Sequence, residues 1–336
     1  MLKLVVLLSV FSLAHGHVDR ILNHDESAPH NTSSVTTRAV KEFAVDIASA
    51  GVAAIVSKTA MAPLERVKVL LQVQTDSDTV IKPYSGISDA VLSVVREEGV
   101  LGLWRGNLVN VVRYFAQQSL NFAFKNFYKT AIYQFEGHNS TEVHVARSMQ
   151  ADLVINLFAG AAAGATSLLI TYPLDFIRTR LAADVADNGF RDFEGPIDCF
   201  VKIVKSDGIP GMYRGFFMAV QGIAIYRAAY FGLYDTAKTV IEQQGYAINF
   251  FASWAVAQVV TVIASFVTYP FDTIRRRMMM QSGRKELVYS GSCDCLKKIV
   301  LNEGITGLFK GGLCNMIRCT GGALVMAIYQ EIHKFI

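Results

Sequence analysis

The chain has 336 residues, of which 52% are hydrophobic and only 18% are charged. This composition is too apolar for an ordinary soluble fold of that length and indicates a membrane protein. The formal net charge of +4 is small, and no basic run with interleaved aromatic residues indicates nucleic-acid binding. The five cysteines include no zinc-type CxxC pair, so neither a metal site nor a disulfide framework is predicted.

The first forty residues are a leader that we set apart from the rest of the chain. Lys3, the apolar run 4–14 and the small-residue sequence Ala14-His15-Gly16 are typical of a secretory signal peptide. A variable tail with no role in the fold is the alternative. Asn31-Thr32-Ser33 is either a glycosylation sequon or a chance match.

Six apolar segments follow, and crossing a hydrocarbon core of about 30 Å takes roughly 20 residues. Residues 153–174 and 243–271 contain no charged residue. The other four lie near 41–64, 107–124, 215–233 and 312–330, and they are interrupted in mid-span by Lys58, Arg113, Arg227 and Arg318 respectively. Charges at that depth need a functional reason.

A two-part motif occurs three times. Its first part, Pro-x-acid-x-x-base, starts at Pro63, Pro173 and Pro270. An acid-Gly pair follows, and then an aromatic-base-Gly triplet that ends at Gly106, Gly215 and Gly311, at gaps of 43, 42 and 41 residues from the proline. Such agreement indicates a tandem triplication. The predicted repeats are residues 41–137, 147–243 and 246–336.

Each repeat predicts a long helix that continues past the proline, a short amphipathic segment and a second long helix. The short segments are residues 85–97, 192–206 and 291–302. The predicted fold is therefore an all-α membrane protein, with six transmembrane helices in a threefold pseudo-symmetric bundle of three two-helix repeats. The N-termini of the short helices would offer free N–H groups to lipid phosphates, although plain turns explain the spacing equally well.

The charged residues of the first motif predict a gate. An acid and a base three residues apart lie on one helix face, so the three copies would converge around a threefold axis and pair between repeats. The alternative is three weak pairs, each within its own helix. We call this set the Pro-motif ring; it comprises Glu65, Lys68, Asp175, Arg178, Asp272 and Arg275.

A second network is predicted near the end of the second long helix of each repeat. Twenty and twenty-three residues after each motif glycine lie an acid or amide and a lysine, and the set comprises Asn126, Lys129, Asp235, Lys238, Glu331 and Lys334. One of its acids is replaced by Asn126, so this closure should be weaker than the ring. Two gates at opposite ends of one cavity describe alternating access.

Residues that differ among the repeats are the better candidates for binding an asymmetric substrate. Lys58, Arg113 and Arg318 lie near the middle of their helices, while the second repeat has Gly222 where the others have arginine, with Tyr226 nearby. Arginine binds phosphate oxygens with directionality and lysine adds a point charge. The pattern favours a polyanion with a flat apolar end, such as a nucleotide. Snorkelling or pairing with carbonyl groups is the alternative for each base.

The triplicated Pro motif resembles that of the mitochondrial carrier family, and the resemblance covers roughly residues 41–336. The run Arg275, Arg276, Arg277, Met278, Met279 and Met280 looks like the signature of the ADP/ATP carrier branch. A lipid anchor is the alternative reading of its basic part. Further resembling segments are Ser57-Lys58-Thr59-Ala60, Asn121-Phe122-Ala123-Phe124-Lys125, Thr179-Arg180-Leu181-Ala182-Ala183-Asp184 and Tyr226-Arg227-Ala228-Ala229-Tyr230-Phe231.

The resemblance implies electrogenic one-for-one exchange of ADP and ATP across the mitochondrial inner membrane, with the short helices on the matrix side. It implies that Lys58, Arg113 and Arg318 hold phosphates and that Gly222, Ile223 and Tyr226 receive the adenine. It also implies that Lys125, Arg275 and Arg276 assist binding or passage. The Pro-motif ring would be the matrix gate and the second network the cytoplasmic gate. Cardiolipin is the expected anionic lipid, the expected state is a monomer, and neither a cofactor nor enzymatic activity is expected.

Two departures from the family pattern are expected to affect the cytoplasmic closure. Ala116 stands where a proline is common and Asn126 where an acid is common. A proton leak pathway, a transport-impaired carrier and a carrier of a related anion therefore remain alternatives. Neither a P-loop nor an HExxH motif is present, so hydrolysis has no basis in the sequence. The leader leaves another membrane open as the location.

Overall fold

A computed structural model describes residues 32–76, 83–135, 149–186, 191–243, 250–284 and 287–321. The chain divides into two compact units that alternate along the sequence. The first unit comprises Met1–Ile55 and Val111–Thr171, and the second comprises Val56–Asn110 and Tyr172–Ile336. The predicted leader falls largely outside the described residues.

The described residues are mainly helical and contain no strand. In chain order the helices are α1 Thr32–Val73, α2 Ile87–Glu98, α3 Asn107–Phe135, α4 Met149–Ala183, α5 Pro196–Gly211, α6 Phe216–Gln243, α7 Phe250–Met280 and α8 Ser292–Glu303. A further helix, α9, runs from residue 312 to residue 321, where the description ends. The motif prolines lie inside α1, α4 and α7.

The three short helices end at the same kind of break. Gly99, Gly208 and Gly304 follow the motif acids and have φ values of 78°, 70° and 74°. This left-handed region suits glycine because it has no Cβ. Two 3₁₀ turns, Val100–Trp104 and Ile305–Phe309, follow the first and third breaks. In the second repeat a short helical turn follows Gly208 directly and continues to Gly211, so the range of α5 includes both the helix before the break and this turn.

In the first unit, α3 and α4 both carry small buried residues and are joined by a hydrogen bond. Ala159 and Ala163 of α4 and Ala116 of α3 are buried. Tyr128 of α3 and Thr166 of α4 are joined by a hydrogen bond of 2.8 Å between their hydroxyl oxygens. Small side chains permit such close approach of helices, and polar side chains then bond across them.

In the second unit, the short helices pack under the Pro-motif ends of the long helices. One cluster joins Val67 and Leu70 of α1 to Ala90 and Val94 of α2. An equivalent cluster joins Ile274 and Met278 of α7 to buried residues around α8. The ends of α1 and α7 therefore rest on short amphipathic helices, and this packing helps to fix the positions of their motif charges.

Two of the described helices are long and apolar enough to cross a membrane by composition alone. They are the segments Phe216–Ile241 and Trp254–Met280. Many large apolar side chains are also exposed, including Leu108, Phe217 and Leu313, each two residues after a motif glycine. Exposed apolar residues that recur at one position of every repeat indicate contact with lipid rather than water.

Candidate functional site

The charged residues of the three Pro motifs form a closed ring of ion pairs between repeats. Lys68 Nζ lies 2.7 Å from Asp272 Oδ2. Arg178 pairs with Glu65, and Arg275 pairs with Asp175. Each acid is therefore joined to the base of another repeat. One contact within a helix accompanies them, since Arg178 Nη1 lies 4.0 Å from Asp175 Oδ1.

Half of the ring residues are buried, and neighbouring polar groups support the ring further. Glu65, Lys68 and Asp175 are each less than one tenth exposed. Gln72 Nε2 lies 3.4 Å from Asp272 Oδ2, on the side of the Lys68 pair. The Arg275 guanidinium lies 5.1 Å from the centre of the Tyr172 ring, at cation–π distance. Buried charges are tolerated because each has a partner of opposite sign.

The motif glycines pack directly behind the bases of the ring. The sequence pattern did not predict this contact. A Cβ added to Gly106 would lie 3.2 Å from the backbone oxygen of Arg178, and one at Gly215 would lie 2.8 Å from that of Arg275. The same contact for Gly311 is 3.2 Å from the backbone oxygen of Lys68. Any other residue would push neighbouring repeats apart. In the sequence, the nearly constant spacing between proline and glycine was the only feature that pointed to this contact.

The acids of the acid-Gly pairs form a second layer of ion pairs. Glu98 accepts hydrogen bonds from Arg66 at 2.7 and 2.8 Å, and both side chains are almost fully buried. Glu303 pairs with Arg277 and, at 2.7 Å, with Lys310. Asp207 of the middle repeat instead bonds Arg214 at 2.8 Å and accepts from Ser282 at 3.0 Å. These bonds tie the short helices to the long ones.

This second layer holds its two glutamates ionised. Burial acts to raise the pKa of Glu303, but the hydrogen bonds from Arg277 and Lys310 outweigh it and lower the pKa to about 2. The pKa of Glu98 is likewise lowered, because bonds from Arg66 and Ala186 outweigh the effect of burial. A carboxylate that accepts several charged or backbone donors strongly favours its ionised form.

The six-residue signature is divided among these two layers and the core. Arg275 and Arg276 contact ring acids, the latter at 3.2 Å from Asp272. Arg277 is 1% exposed and bonds Glu303. The three methionines that follow, Met278, Met279 and Met280, are buried. The arginines are thus directed at carboxylates within the second unit, which disfavours the alternative of a simple lipid anchor.

Arg318, one of the predicted phosphate-binding bases, lies next to the ring. Its Nη1 is 3.5 Å from Glu65 Oε1. Its Nε and Nη2 donate to Asn315 Oδ1 at 3.3 and 3.1 Å. The side chain is 27% exposed. A ligand phosphate at this guanidinium would therefore meet a base that is oriented by the protein but still accessible.

The other predicted binding residues take varied positions. In the second unit Lys58 is half-buried, and Gly222, Ile223 and Tyr226 of α6 are partly exposed. A Cβ at Gly222 would lie 3.5 Å from that of Phe271. In the first unit Arg113 Nη1 donates to Gln117 Oε1 at 2.6 Å, and Lys125 is exposed. The adenine and phosphate roles of these residues stay predictions.

Stacked tyrosines continue along α6 from Tyr226. Its ring centre lies 6.1 Å from that of Tyr230, which in turn lies 6.0 Å from that of Tyr234 with nearly parallel planes. The residues are four apart, so they occupy one face of the helix. This aromatic face offers several stacking surfaces for a flat ring.

The members of the second network within the described residues lie in open positions. Asn126, Asp235 and Lys238 are exposed. Lys129 is half-buried, and its ammonium lies 5.6 Å from the centre of the Tyr133 ring. Glu331 and Lys334 lie outside the described residues. The closure predicted for this network therefore stays a prediction.

The triplicated helical unit and the charged ring define a membrane carrier built from three repeats. The family model described as mitochondrial carrier protein matches residues 39–136, 150–245 and 246–336, and the chain belongs to this family. ADP/ATP translocase 2 of Bos taurus is 53% identical over 304 residues, which are 89% of this chain and 99% of that protein. ADP/ATP translocase 3 of Homo sapiens is 52% identical over 299 residues, 88% of this chain and 98% of its own length. The mitochondrial substrate carrier family protein ancA of Dictyostelium discoideum is 52% identical over the same number, 299 residues, 88% of this chain and 94% of its own length.

Proposed function

We propose that this carrier is a multi-pass protein that exchanges ADP and ATP one for one across the mitochondrial inner membrane. One central site would open to the two sides of the membrane in turn. The observation that carries the proposal is the 53% identity to a protein named ADP/ATP translocase over 99% of that protein's length. The Arg318 guanidinium beside the ring supports it, because a phosphate chain bound there would lie directly against the gate.

In this proposal the Pro-motif ring is the matrix gate, and it is closed in the conformation described above. Nucleotide enters from the cytoplasmic side, where Lys58, Arg113 and Arg318 bind its phosphates while Gly222, Ile223 and Tyr226 receive the adenine. Lys125, Arg275 and Arg276 assist binding or passage. The second network closes as the ring opens, which releases nucleotide to the matrix.

ATP carries one more negative charge than ADP, so a membrane potential contributes about 2.3 kcal/mol per 100 mV toward ATP export.

Anionic lipid, with cardiolipin as the expected species, would bind at the N-termini of α2, α5 and α8, and the carrier would act as a monomer. The first helical residues there follow Gly86, Gly195 and Gly291. Backbone N–H groups at a helix N-terminus are available to a phosphate.

Exchange in liposomes tests the proposal. Purified protein in liposomes loaded with unlabelled ADP should take up labelled ADP or ATP, and empty liposomes should not. Arg318→Glu should abolish uptake, whereas the same reversal at the exposed Arg96 of α2 should leave it unchanged. Uptake of another anion with no uptake of ADP would overturn the substrate assignment.

Proton conductance without nucleotide exchange would select the alternative of a leak pathway. Imaging tagged forms with and without residues 1–40 would show whether the leader redirects the carrier to another membrane. An inner-membrane location for both forms is the expected result.

A further inference from the structure

Three buried arginines, Arg66, Arg180 and Arg277, join neighbouring repeats behind the Pro-motif ring. Each donates a hydrogen bond to a backbone carbonyl in the last turn of the Pro-motif helix of the next repeat. The accepting oxygens, at 3.2, 2.8 and 3.2 Å, belong to Ala182, Met280 and Gln72 respectively. The three side chains therefore hold the three junctions between repeats in the same way.

Only two of these arginines are paired with an acid in the part of the chain that the structure describes. Glu98 pairs with Arg66, and Glu303 pairs with Arg277. No carboxylate oxygen of a described residue lies within 4.0 Å of a nitrogen of Arg180, although Arg180 is only 9% exposed. Burial of a charge is costly unless the charge has a partner. Arg180 therefore lacks the counter-charge that its two equivalents have.

The acids of the middle repeat that could supply this counter-charge are bonded elsewhere. The acid of its acid-Gly pair is Asp207, which is one methylene shorter than the glutamates at that position of the other repeats. Asp207 pairs with Arg214 at 2.8 Å. Asp184, one helical turn after Arg180, pairs with Arg105 at 2.6 Å. The charge of Arg180 is therefore left for another group to balance.

One edge of the Arg180 guanidinium is suited to bind an oxyanion. Its Nη1 donates to the Met280 backbone oxygen, whereas its Nε is buried without a hydrogen-bond partner among the described residues. The Phe193 ring centre lies 5.2 Å from its Cζ, at cation–π distance. Nε and Nη2 lie side by side on the edge away from Nη1, and arginine uses such an edge to bind two oxygens of a phosphate or carboxylate.

This edge borders a small open space next to Gly283, which we call the Gly283 notch and define by Arg180, Ser206 and Gly283. A Cβ added to Gly283 would lie 3.8 Å from Ser206 Oγ and 4.0 Å from Arg180 Nη2. Gly283 and Ser206 are exposed, so the notch opens at the surface. Arg284 adds positive charge close to Arg180. An oxyanion in the notch would therefore meet a hydroxyl group and the Arg180 edge together.

We propose that the Gly283 notch is a binding site for a phosphate group, built from none of the predicted substrate-binding residues. Two phosphate oxygens accept from Nε and Nη2 of Arg180, and a third accepts from the Ser206 hydroxyl. The phosphate supplies the negative charge that Glu98 and Glu303 supply at the other two junctions. Because Arg180 and Ser206 belong to the second repeat and Gly283 to the third, the bound group joins these repeats. The site does not depend on what the carrier transports.

Thermal unfolding of the purified carrier in a phosphate-free detergent tests the site. At a phosphate concentration about ten times its Kd, the melting temperature should rise by about 3 °C relative to chloride at equal ionic strength. Ser206→Asp places a carboxylate in the notch. This variant should melt higher than the unmodified carrier without phosphate and should lose the phosphate-dependent rise. Comparison of the two proteins removes the general effect of phosphate on protein stability.

Asn302→Asp is the matched control, because Asn302 is the exposed residue that precedes the acid-Gly pair of the third repeat, as Ser206 does in the second. The arginine at that junction, Arg277, already has Glu303, so the phosphate-dependent rise should be unchanged. Arg318→Glu should also retain the rise. A rise that is lost in Arg318→Glu and retained in Ser206→Asp would assign the phosphate to the substrate site and overturn the proposal. Equal rises in Ser206→Asp and the unmodified carrier would overturn it as well.

A lipid arm identifies the source of the phosphate group. Phosphatidylglycerol in mixed micelles is compared with zwitterionic phosphatidylcholine, in the unmodified carrier and in Ser206→Asp. A Ser206-dependent rise with inorganic phosphate identifies the free ion, and such a rise with phosphatidylglycerol alone identifies a lipid headgroup. Absence of both overturns the site. If Ser206→Asp does not fold, Ser206→Ala replaces it and should weaken phosphate binding about threefold through loss of one hydrogen bond; unchanged binding would contradict the proposal.

Discussion

The Pro-motif ring and the second network carry the same kinds of charge but differ in their surroundings. In the ring, Glu65 and Asp175 are buried and paired with bases of other repeats. In the second network, Asn126 and Asp235 are exposed. Buried pairs are costly to break, whereas exposed pairs contribute about 0–1 kcal/mol. The same residue types can therefore form ion pairs that are costly to break in the ring and pairs that contribute little in the second network.

Removal of one base from the ring and of one base from the second network should give the largest difference in stability. Arg275→Ala leaves Asp175 buried without its inter-repeat partner, and we expect a loss of about 3–5 kcal/mol in the free energy of unfolding. Lys238→Ala removes an exposed base and should cost less than about 0.5 kcal/mol. Denaturant or thermal unfolding in detergent measures both. Equal losses would contradict the contrast between the ring and the second network.

A glycine near the ring and a glycine near the second network offer a second comparison. Substitution by alanine should lower the stability of the protein at the first and raise it at the second. Gly215 has a φ of 81° and packs on the backbone oxygen of Arg275, so Gly215→Ala should destabilise the protein by about 2–4 kcal/mol. Gly232 lies inside α6 three residues before Asp235, with nothing within 4 Å of an added Cβ. Gly232→Ala should therefore stabilise the protein by about 0.5–1 kcal/mol. Melting temperatures shifted in the same direction would refute this account.

The layer behind the ring should also give a defined pH dependence. The folded-state pKa values of Glu98 and Glu303 lie below the ordinary value of 4.5, so the unfolded chain binds more protons as the pH falls. Their contribution to stability is complete above about pH 5.5 and is lost progressively below about pH 4.5. Melting temperatures should be insensitive to these groups near neutral pH and fall in acid. The double variant Glu98→Gln, Glu303→Gln should show a smaller acid-induced decrease.

The smallest expected effect comes from restoring the acid that the second network lacks. Asn126→Asp places a carboxylate three residues before Lys129, and such a pair contributes about 0.2–0.5 kcal/mol within a helix. Stronger closure there would favour the state with an open ring, so we expect the exchange rate to rise about twofold. Asn126→Ala should leave the rate unchanged. A rate lowered by Asn126→Asp would mean that opening of the second network limits transport.

Much of the fold follows from the sequence because the motifs recur at nearly constant spacing. The triplication predicted an all-helical protein of three repeats, and the family match confirms this fold class. The ends of the short helices also follow from the sequence, because the glycine of each acid-Gly pair, Gly99, Gly208 and Gly304, breaks the helix at the same position of its repeat.

The sequence by itself determined which charges recur, since each Pro motif must present an acid and a base on one helix face. Only the tertiary structure decided how they pair, because Glu65 meets Arg178 through the approach of helices that lie 113 residues apart. It also decided that the motif glycines contact the backbone behind the ring and that Glu65 reaches Arg318. These contacts depend on distances between repeats, and a local pattern contains no information about those distances.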